Sequence, residues 1–295
     1  MNRSEQASRI TKYNLLGNGV LIIIKLMAGI LGKSGAMLAD GLHSITDFLT
    51  DVIVLISFKI TKRPPDKAYH YGYGKFETLA TLFITLTLFY AGFIILRSGV
   101  INIFSYLKGE HIDLPKSIAI YGALLSIIIK EVMYRMTIKV GKRIQSQALV
   151  ANAWHHRSDA FSSVAALIGI SAAVLLGPSF AVLDPIVAII VSLIVFKIAL
   201  KLLYPSINEL MEGRIDEEKI KLIIKVINEN KNIKGYHKLR TRKVGRLIVI
   251  DFHISLNKDL KLHIAHDIAH DIENELKEVL GEELVVTIHI EPHKN

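Results

Sequence analysis

Two segments of the sequence pair a histidine with an aspartate four residues later, each inside an apolar stretch. The first pair is His43 and Asp47, and the second is His155 and Asp159. Residues four apart lie one turn above each other on a helix, so each pair presents an imidazole and a carboxylate to one point. Two such helices facing each other would supply two nitrogens and two oxygens. That donor set suits a tetrahedral divalent ion, most naturally Zn²⁺, without excluding iron, cobalt or cadmium.

The two segments are similar over a longer stretch. Residues 38–52 align without a gap with residues 150–164, and on a helix the polar residues of each fall within one arc. They are Asp40, His43, Ser44, Asp47, Thr50 and Asp51 in the first segment and Asn152, His155, His156, Asp159, Ser162 and Ser163 in the second. Such a stripe can also hold a bundle together by hydrogen bonds. Two His–Asp pairs in register favour metal binding, and no HExxH run supports a metalloprotease.

These segments belong to a chain of unusually apolar composition. Its 295 residues are 51% hydrophobic and 21% charged, with a mean hydropathy of +0.38, which is too apolar for an ordinary soluble enzyme. The absence of cysteine excludes disulfides, thiolate zinc sites, iron–sulfur clusters and cysteine nucleophiles. Six stretches are long enough to cross a bilayer, which takes about 20 residues. The predicted spans are 13–32, 36–58, 77–104, 116–138, 147–176 and 182–204.

The positive charge is concentrated in the apolar part of the chain. From Ser206 onward 15 basic and 16 acidic residues nearly cancel, whereas the preceding part carries 21 basic and 11 acidic residues. Most of these basic residues lie at the start of the chain and around the second and fourth connecting loops. This distribution indicates membrane topology rather than nucleic-acid binding. The positive-inside rule places both termini in the cytoplasm of a multi-pass protein of the cell (inner) membrane.

The pattern changes after Tyr204-Pro205 to that of a small α+β domain. The predicted elements are a helix opening at Asp216, strands at 236–243 and 247–256, a helix from Leu262 to Leu280 and a strand from Leu284 to Ile290. The order αββαβ predicts one open sheet with its helices on one face, as in ferredoxin-like metallochaperone domains. We therefore expect an all-α six-helix transmembrane bundle over 1–208 and a cytoplasmic domain over 209–295.

At these residues the sequence resembles the cation diffusion facilitator family of divalent metal/proton antiporters. The resemblance rests on six spans, HxxxD in the second and fifth spans, and an αββαβ tail. It implies a protein that forms a homodimer in membrane lipid and is not an enzyme. Such a dimer would export a divalent metal from the cytoplasm against inward protons by alternating access. The family's central transport site falls on His43, Asp47, His155 and Asp159.

The loop between the second and third spans departs from the family pattern. Family members often bind another ion there through two histidines and an aspartate. In this sequence Tyr69 and Tyr73 stand in place of those histidines, leaving Asp66 and an offset His70. We expect a metal site in this loop to be weak or absent.

Lys75, at the end of that loop, matches a family lysine that pairs with an acidic residue just after the sixth span. Glu212 is the acidic residue that the resemblance indicates here. The alternative is that Lys75 is only one of the positive charges that set topology.

Seven of the 12 histidines lie in the tail, namely His237, His253, His263, His266, His270, His289 and His293. The family's cytoplasmic metal cluster maps onto His237, His253, His266, His289 and Glu291. The resemblance implies that metal bound there regulates the protein at the dimer interface. The group His263, His266 and His270 could instead be a solvated helix face, and His263, His270 and His293 match no family ligand.

The intramembrane ligands suggest how metal and protons would be exchanged. Ligating imidazole must be neutral, so metal and protons compete for the same lone pairs, and histidine titrates at about pH 6.5. Two other classes stay open: a metal-sensing membrane scaffold with little transport, and a small-molecule transporter with a roomier polar cavity. For Lys25, Lys130, Glu131 and Arg157, all at or near membrane depth, we expect snorkelling or internal pairing.

Overall fold

The computed structural model describes residues 3–31, 35–108, 118–176, 182–281 and 283–293. These residues form eight helices and three strands. The helices and strands are α1 Arg3–Leu31, α2 Gly35–Thr61, α3 Lys75–Leu107, α4 Ile118–Arg143, α5 Gln147–Leu176, α6 Leu183–Leu210, α7 Glu217–Glu229, β1 Gly235–Val244, β2 Leu247–Leu256, α8 Leu262–Leu280 and β3 Leu284–Pro292.

The chain folds as two compact units. The first is Met1–Arg63 with Phe76–Ser206, and the second is Pro64–Lys75 with Ile207–Asn295. The first unit is the helical bundle and the second is the α+β domain. The loop between α2 and α3 is therefore part of the second unit. The predicted domains, 1–208 and 209–295, assign this loop to the first.

The bundle has a polar interior and an apolar exterior. Helix α1 packs on α2 and α4, α4 packs on α5, and α2 meets α5. Asn18, Asp51 and Thr81 are fully buried, whereas Leu16 and Leu193 are 67% and 58% exposed. This pattern is expected where lipid rather than water surrounds the helices, because polar side chains then face inward and pair with one another.

Helices α3 and α6 contact each other through apolar side chains and, at one point, a glycine. Leu88 on α3 packs with Val191, Val195 and Ala199 of α6. Gly99 of α3 lies so close to α6 that a Cβ there would approach the Ile189 side chain to 2.8 Å. Small residues are a common means of close helix approach in membranes.

Among the described residues, three helices are long and apolar enough to cross a membrane by length and composition. They are Arg3–Met27, Lys75–Leu107 and Pro185–Leu210. The predicted fold class, a transmembrane-type helical domain followed by an α+β domain, is confirmed.

Helix α1 begins ten residues before the first predicted span, which started at 13. Its polar first turns are held within the bundle because Arg3 donates hydrogen bonds to the Ile144 carbonyl (3.0 Å) and to the Glu77 carboxylate (2.8 Å). Hydropathy marks the apolar part of a helix and misses such a polar end.

The second unit contains a three-stranded sheet in the order β1-β2-β3, with β1 antiparallel and β3 parallel to β2. One face of the central strand supplies the core, and helices α7 and α8 cover that face. The core side chains are Ile248, Ile250, Phe252, Ile254 and Leu256 of β2, Ile223 and Ile227 of α7, and Ile268, Ile272 and Leu276 of α8. The predicted αββαβ order is confirmed.

Candidate metal centre

Helices α2 and α5 bring three of the four predicted intramembrane ligands together. Asp47, His155 and Asp159 each offer one ligand atom, and these atoms all lie within 4.8 Å of one another. The Nε2 atom of His155 lies 3.1 Å from Oδ1 of Asp47. Asp47 and His155 are buried and the Asp159 side chain is 11% exposed. One divalent cation could contact all three groups after modest side-chain movement.

The close approach of the helices has a local cause in the sequence of α5. Ala151, Ala153 and Ala160 are buried on this helix beside the ligands. Alanine adds little bulk, so α5 can lie near its neighbours while His155 and Asp159, one turn apart, face the same way.

His43, the fourth predicted ligand, lies in α2 one turn before Asp47. Its side chain, like that of Asp40, lies outside the described residues. The assignment of His43 as a ligand therefore stays a prediction.

A lysine from a third helix enters the same cluster. The Nζ atom of Lys130 lies 2.6 Å from Oδ2 of Asp47 and 2.9 Å from Oδ2 of Asp159, and its side chain is 1% exposed. From the sequence we expected only that Lys130 would snorkel or find an internal partner. Its position near the midpoint of α4 was the available signal, because a lysine there is too far from either end of the helix to reach water along the membrane normal.

A second buried polar cluster lies one turn along α2. Both oxygens of Asp51 accept amide hydrogen bonds, Oδ2 from Asn18 at 2.7 Å and Oδ1 from Asn152 at 2.6 Å. The Nε2 atom of His156 is 3.5 Å from Oδ1 of Asp51, and all four side chains are fully buried. This cluster connects α1, α2 and α5. Part of the polar stripe therefore holds the helices together by hydrogen bonds.

Two other membrane-depth cations have partners inside the bundle. Lys25 donates to the Ser44 hydroxyl at 3.1 Å. The Arg157 guanidinium lies 4.2 Å from the ring centroid of Tyr134 and 3.9 Å from a carboxylate oxygen of Glu131. Both follow the expectation of internal pairing.

The α2–α3 loop, Pro64–Lys75, uses its aspartate for its own structure. Oδ1 of Asp66 accepts hydrogen bonds from the backbone N–H groups of Ala68 and Tyr69, and Oδ2 accepts one from the Tyr73 hydroxyl at 2.6 Å. His70 is exposed. This arrangement agrees with a weak loop metal site, because both carboxylate oxygens already have donors.

Lys75 and Glu212 form an ion pair within the second unit. The other oxygen of Glu212 lies 3.2 Å from Nε of Arg242 on β1, and the Arg242 guanidinium lies 5.3 Å from the ring centroid of Tyr71. Glu212 thus connects the loop, the end of α6 and the sheet. The structure favours the ion pair of Lys75 with Glu212 over the alternative that Lys75 is only a positive charge that sets membrane topology.

Two glycines allow the loop to approach the β1–β2 turn. A Cβ on Gly74 would lie 2.4 Å from the Val244 carbonyl oxygen, and a Cβ on Gly245 would lie 2.8 Å from the Gly74 Cα. Gly245 also has φ +65°, a left-handed conformation that favours glycine. Sequence reasoning predicted the turn at Gly245 but missed the contact with the loop.

The cytoplasmic histidines form a row across the sheet. In the strand register His237 of β1 pairs with His253 of β2, which pairs with His289 of β3. The ring centroids of neighbouring pairs are 5.0 Å and 4.5 Å apart. The three imidazoles lie on the sheet face opposite α7 and α8, because the alternate residues of β2 form the core.

Glu291 lies two residues after His289 and completes this cytoplasmic cluster, defined as His237, His253, His289 and Glu291. Its Oε1 accepts a hydrogen bond from Nδ1 of His253 at 2.7 Å, and its Oε2 lies 3.4 Å from Nε2 of His237. That hydrogen bond from His253 lowers the pKa of Glu291 below its ordinary value. A β-bulge after His237, where Lys238 has φ +54°, sets the direction of that part of β1.

His266, the fifth residue that the family resemblance assigned to this site, lies on α8 with its ring 6.4 Å from that of His270. Among the described residues of the second unit, the group able to share one ion is His237, His253 and Glu291. The structure does not place His266 with them, because α8 covers the opposite face of the sheet.

Two family descriptions match this chain. The Cation efflux transmembrane domain matches residues 11–211, and the Cation efflux protein, cytoplasmic domain, matches residues 215–293. The chain belongs to the cation diffusion facilitator family. It is therefore a membrane-integral metal cation efflux transporter rather than an enzyme, and its tail corresponds to the domain through which proteins of this family dimerise.

Three relatives illustrate the range of this family. The manganese efflux system protein MneP of Bacillus subtilis is 34% identical over 294 residues, covering 98% of this chain and 97% of that protein. Metal tolerance protein 2 of Oryza sativa is 34% identical over 285 residues, covering 89% of this chain and 72% of its own. The magnetosome protein MamB of Magnetospira sp. is 33% identical over 238 residues, covering 81% and 79% respectively.

Proposed function

We propose that this cation diffusion facilitator exports a divalent metal from the cytoplasm through a site formed by His43, Asp47, His155 and Asp159. The observation that carries the proposal is the convergence of Asp47, His155 and Asp159, whose ligand atoms lie within 4.8 Å of one another. His43 is added because it precedes Asp47 by one helical turn. Two carboxylates offset the charge of an ion whose burial would otherwise be prohibitive.

Protons are the counter-ion in this proposal. A bound metal requires neutral imidazole and ionised carboxylate, so protonation of those groups favours release. Competition becomes exchange only if the site faces one side of the membrane at a time. We therefore propose alternating access, with metal bound from the cytoplasm and released after protonation from the other side.

Zn²⁺ is the proposed substrate because two imidazoles and two carboxylates suit its tetrahedral coordination. Fe²⁺, Co²⁺ and Cd²⁺ are the alternatives that the same ligands admit. Mn²⁺ is a further candidate, favoured by the similarity to a protein named for manganese efflux. Uptake of one metal in the presence of each of the others would rank these five ions directly.

The cytoplasmic cluster is proposed to be regulatory. Metal bound by His237, His253, His289 and Glu291 would favour one arrangement of a homodimer by binding it more tightly than the other. His266 would join only if the second protomer supplied it. Cytoplasmic metal would thereby adjust transport activity without passing through this site.

Both termini are proposed to lie in the cytoplasm of a cell whose inner membrane holds the dimer. The support is the concentration of basic residues at the start of the chain and in the second and fourth loops.

The test is metal uptake by purified protein in liposomes. With an imposed proton gradient, zinc should enter vesicles that contain the wild-type protein, and Asp159→Ala should abolish that uptake. Arg135→Ala is the control because it removes a charged side chain that lies on α4, is 76% exposed and is not among the proposed ligands. Unchanged flux in Asp159→Ala would refute the assigned site, and zinc flux independent of the proton gradient would refute the exchange.

The second candidate function is a metal-sensing membrane scaffold with little transport of its own. The observation that favours it is Lys130, whose ammonium already forms ion pairs with both carboxylates of the bundle site. A scaffold would bind zinc in the cytoplasmic domain but carry none across the liposome membrane, so the same assay separates the two functions.

A further inference from the structure

The strongest unexplained feature of the bundle is the position of Lys130. Its ammonium bridges Asp47 and Asp159, contributed by two other helices, at 2.6 Å and 2.9 Å. We propose that Lys130 is a tethered counter-cation: it offsets one of the two negative charges of this carboxylate pair between transport events, and the substrate metal must displace it. This proposal rests on the transport site described above and adds a residue from α4 to it.

Lys130 and a bound metal would compete for the same carboxylate groups. Lys130 contacts Oδ2 of both carboxylates, and Oδ1 of Asp47 faces His155. A metal bound by Asp47 and Asp159 needs oxygens of this same pair. The ammonium would then lie only a few ångströms from a divalent ion, where repulsion between like charges is strong because little water screens it. Metal and ammonium are therefore alternative occupants of the pair.

The charge of the carboxylate pair must be offset throughout the transport cycle. Two buried carboxylates without a cation would be costly, whereas two carboxylates and one ammonium leave one net negative charge. Replacing the ammonium with a divalent ion makes the pair and its ion neutral. A built-in cation therefore lets the site change orientation after metal release without leaving two uncompensated charges in the membrane.

Lysine is the basic residue suited to a cation that must be displaced. Its ammonium is a compact charge on a flexible four-carbon stem, so it can leave the carboxylates without a change of the backbone. An arginine would hold the pair through several N–H donors in a fixed plane and would be harder to displace. A methionine has similar length and flexibility but no charge.

A permanent structural brace is the competing role, and the two roles predict opposite orders of metal affinity. Zn²⁺ binding would be measured by calorimetry on the full-length protein in lipid nanodiscs, with His253→Ala present throughout to reduce binding at the cytoplasmic cluster. We expect Lys130→Met to lower the dissociation constant about tenfold and Lys130→Arg to raise it about tenfold, since removal of a competing charge favours the metal. A brace predicts that Lys130→Arg is close to wild type and that Lys130→Met binds more weakly.

Transport supplies an independent readout. In liposomes Lys130→Met should lower both the KM for zinc and the maximal rate, because tighter binding without an internal cation slows release and return. Arg135→Met, which removes an exposed charge from the same helix, should change neither quantity. Loss of rate with a raised or unchanged KM would overturn the proposal.

Lys130→Arg and one further variant keep the experiment decisive. If Lys130→Met does not fold, Lys130→Arg alone decides: weaker zinc binding supports competition, and unchanged or tighter binding overturns it. Asp159→Asn separates this proposal from the proposed function. If Asp159→Asn keeps full zinc binding, the transport site itself is wrong; if it loses binding while the Lys130 series is flat, only the counter-cation is wrong.

Discussion

The two groups of metal-type ligands in this molecule use the same side chains in opposite surroundings. In the bundle, Asp47 and His155 are almost inaccessible, at 1% and 3% side-chain exposure, and a lysine forms ion pairs with both aspartates. In the cytoplasmic cluster, His253 and His289 are 25% and 63% exposed, and Glu291 relies on imidazole and water. Histidine and carboxylate thus occur in both places, and what differs is access to solvent.

That difference bears on what each site can do. A buried acid must be compensated by protein, metal or protons, so every change in its occupant is coupled to another charge. An exposed acid is compensated by water and can bind or lose an ion with little effect on its neighbours. The bundle site is suited to exchange, and the cytoplasmic site is suited to report a metal concentration.

The largest expected effect comes from removing one ligand from each site. In liposomes Asp47→Asn should reduce proton-driven zinc uptake by about 100-fold, at least as much as the loss of a ligand's supporting partner usually costs. His253→Ala should keep the maximal rate and change only the dependence on cytoplasmic-side metal. Equal loss of maximal rate in both variants would contradict separate roles for the two sites.

A second test concerns the buried Asp51 cluster beside the proposed transport site. Asp51→Leu leaves the amide donors of Asn18 and Asn152 unpaired and should lower the free energy of unfolding by about 3 kcal/mol. Asp51→Asn is the matched control and should cost about 1 kcal/mol, because an amide flip can restore part of the hydrogen bonding. Denaturation of the purified protein in detergent micelles measures both. Equal stability of the two variants would show that the hydrogen bonds accepted by Asp51 do not stabilise the bundle.

A third test addresses the contact between the α2–α3 loop and the β1–β2 turn. Gly245→Ala places a Cβ against Gly74 and a non-glycine residue at positive φ, which should cost about 1–2 kcal/mol. Gly235→Ala is the control, because a Cβ there meets nothing within 4 Å. Thermal unfolding and limited proteolysis of the loop would compare them, and an equally protected loop in both variants would argue against the contact.

The smallest expected effect is a pH dependence in the cytoplasmic cluster. Because the hydrogen bond from His253 lowers the pKa of Glu291, its stabilising contribution is present above the acid's ordinary pKa of about 4.3 and is lost as pH falls through the lowered value. With chelator present, Glu291→Gln should melt slightly below wild type at about pH 7, and the gap should close towards about pH 3. A gap that widens on acidification would show that the sign is wrong.

Much of the architecture could be predicted because its signals are local. Helical spacing predicted that His43 and Asp47 face one point, as do His155 and Asp159, and the apolar pattern of the tail predicted αββαβ. Each of these inferences depends on residues within a few positions of one another, where the periods of helices and strands are fixed.

The remainder depends on which distant residues become neighbours. A lysine in mid-span indicates an internal partner, but only the packing of α4 against α2 and α5 identifies Asp47 and Asp159 as the partners of Lys130. The association of the α2–α3 loop with the second unit depends on two glycines far apart in sequence. His266 was included by resemblance, and spacing alone could not show on which side of the sheet its helix lies.

The histidine row also makes the cytoplasmic domain sensitive to strand slippage. His237, His253 and His289 share one rung only in the observed register. A shift of β2 by one residue would carry His253 in among the apolar side chains beneath α7 and α8 and would expose Phe252 or Ile254 to water. The three imidazoles therefore assemble only on a correctly paired sheet, so binding of an ion there would act as a check on the assembly of the domain.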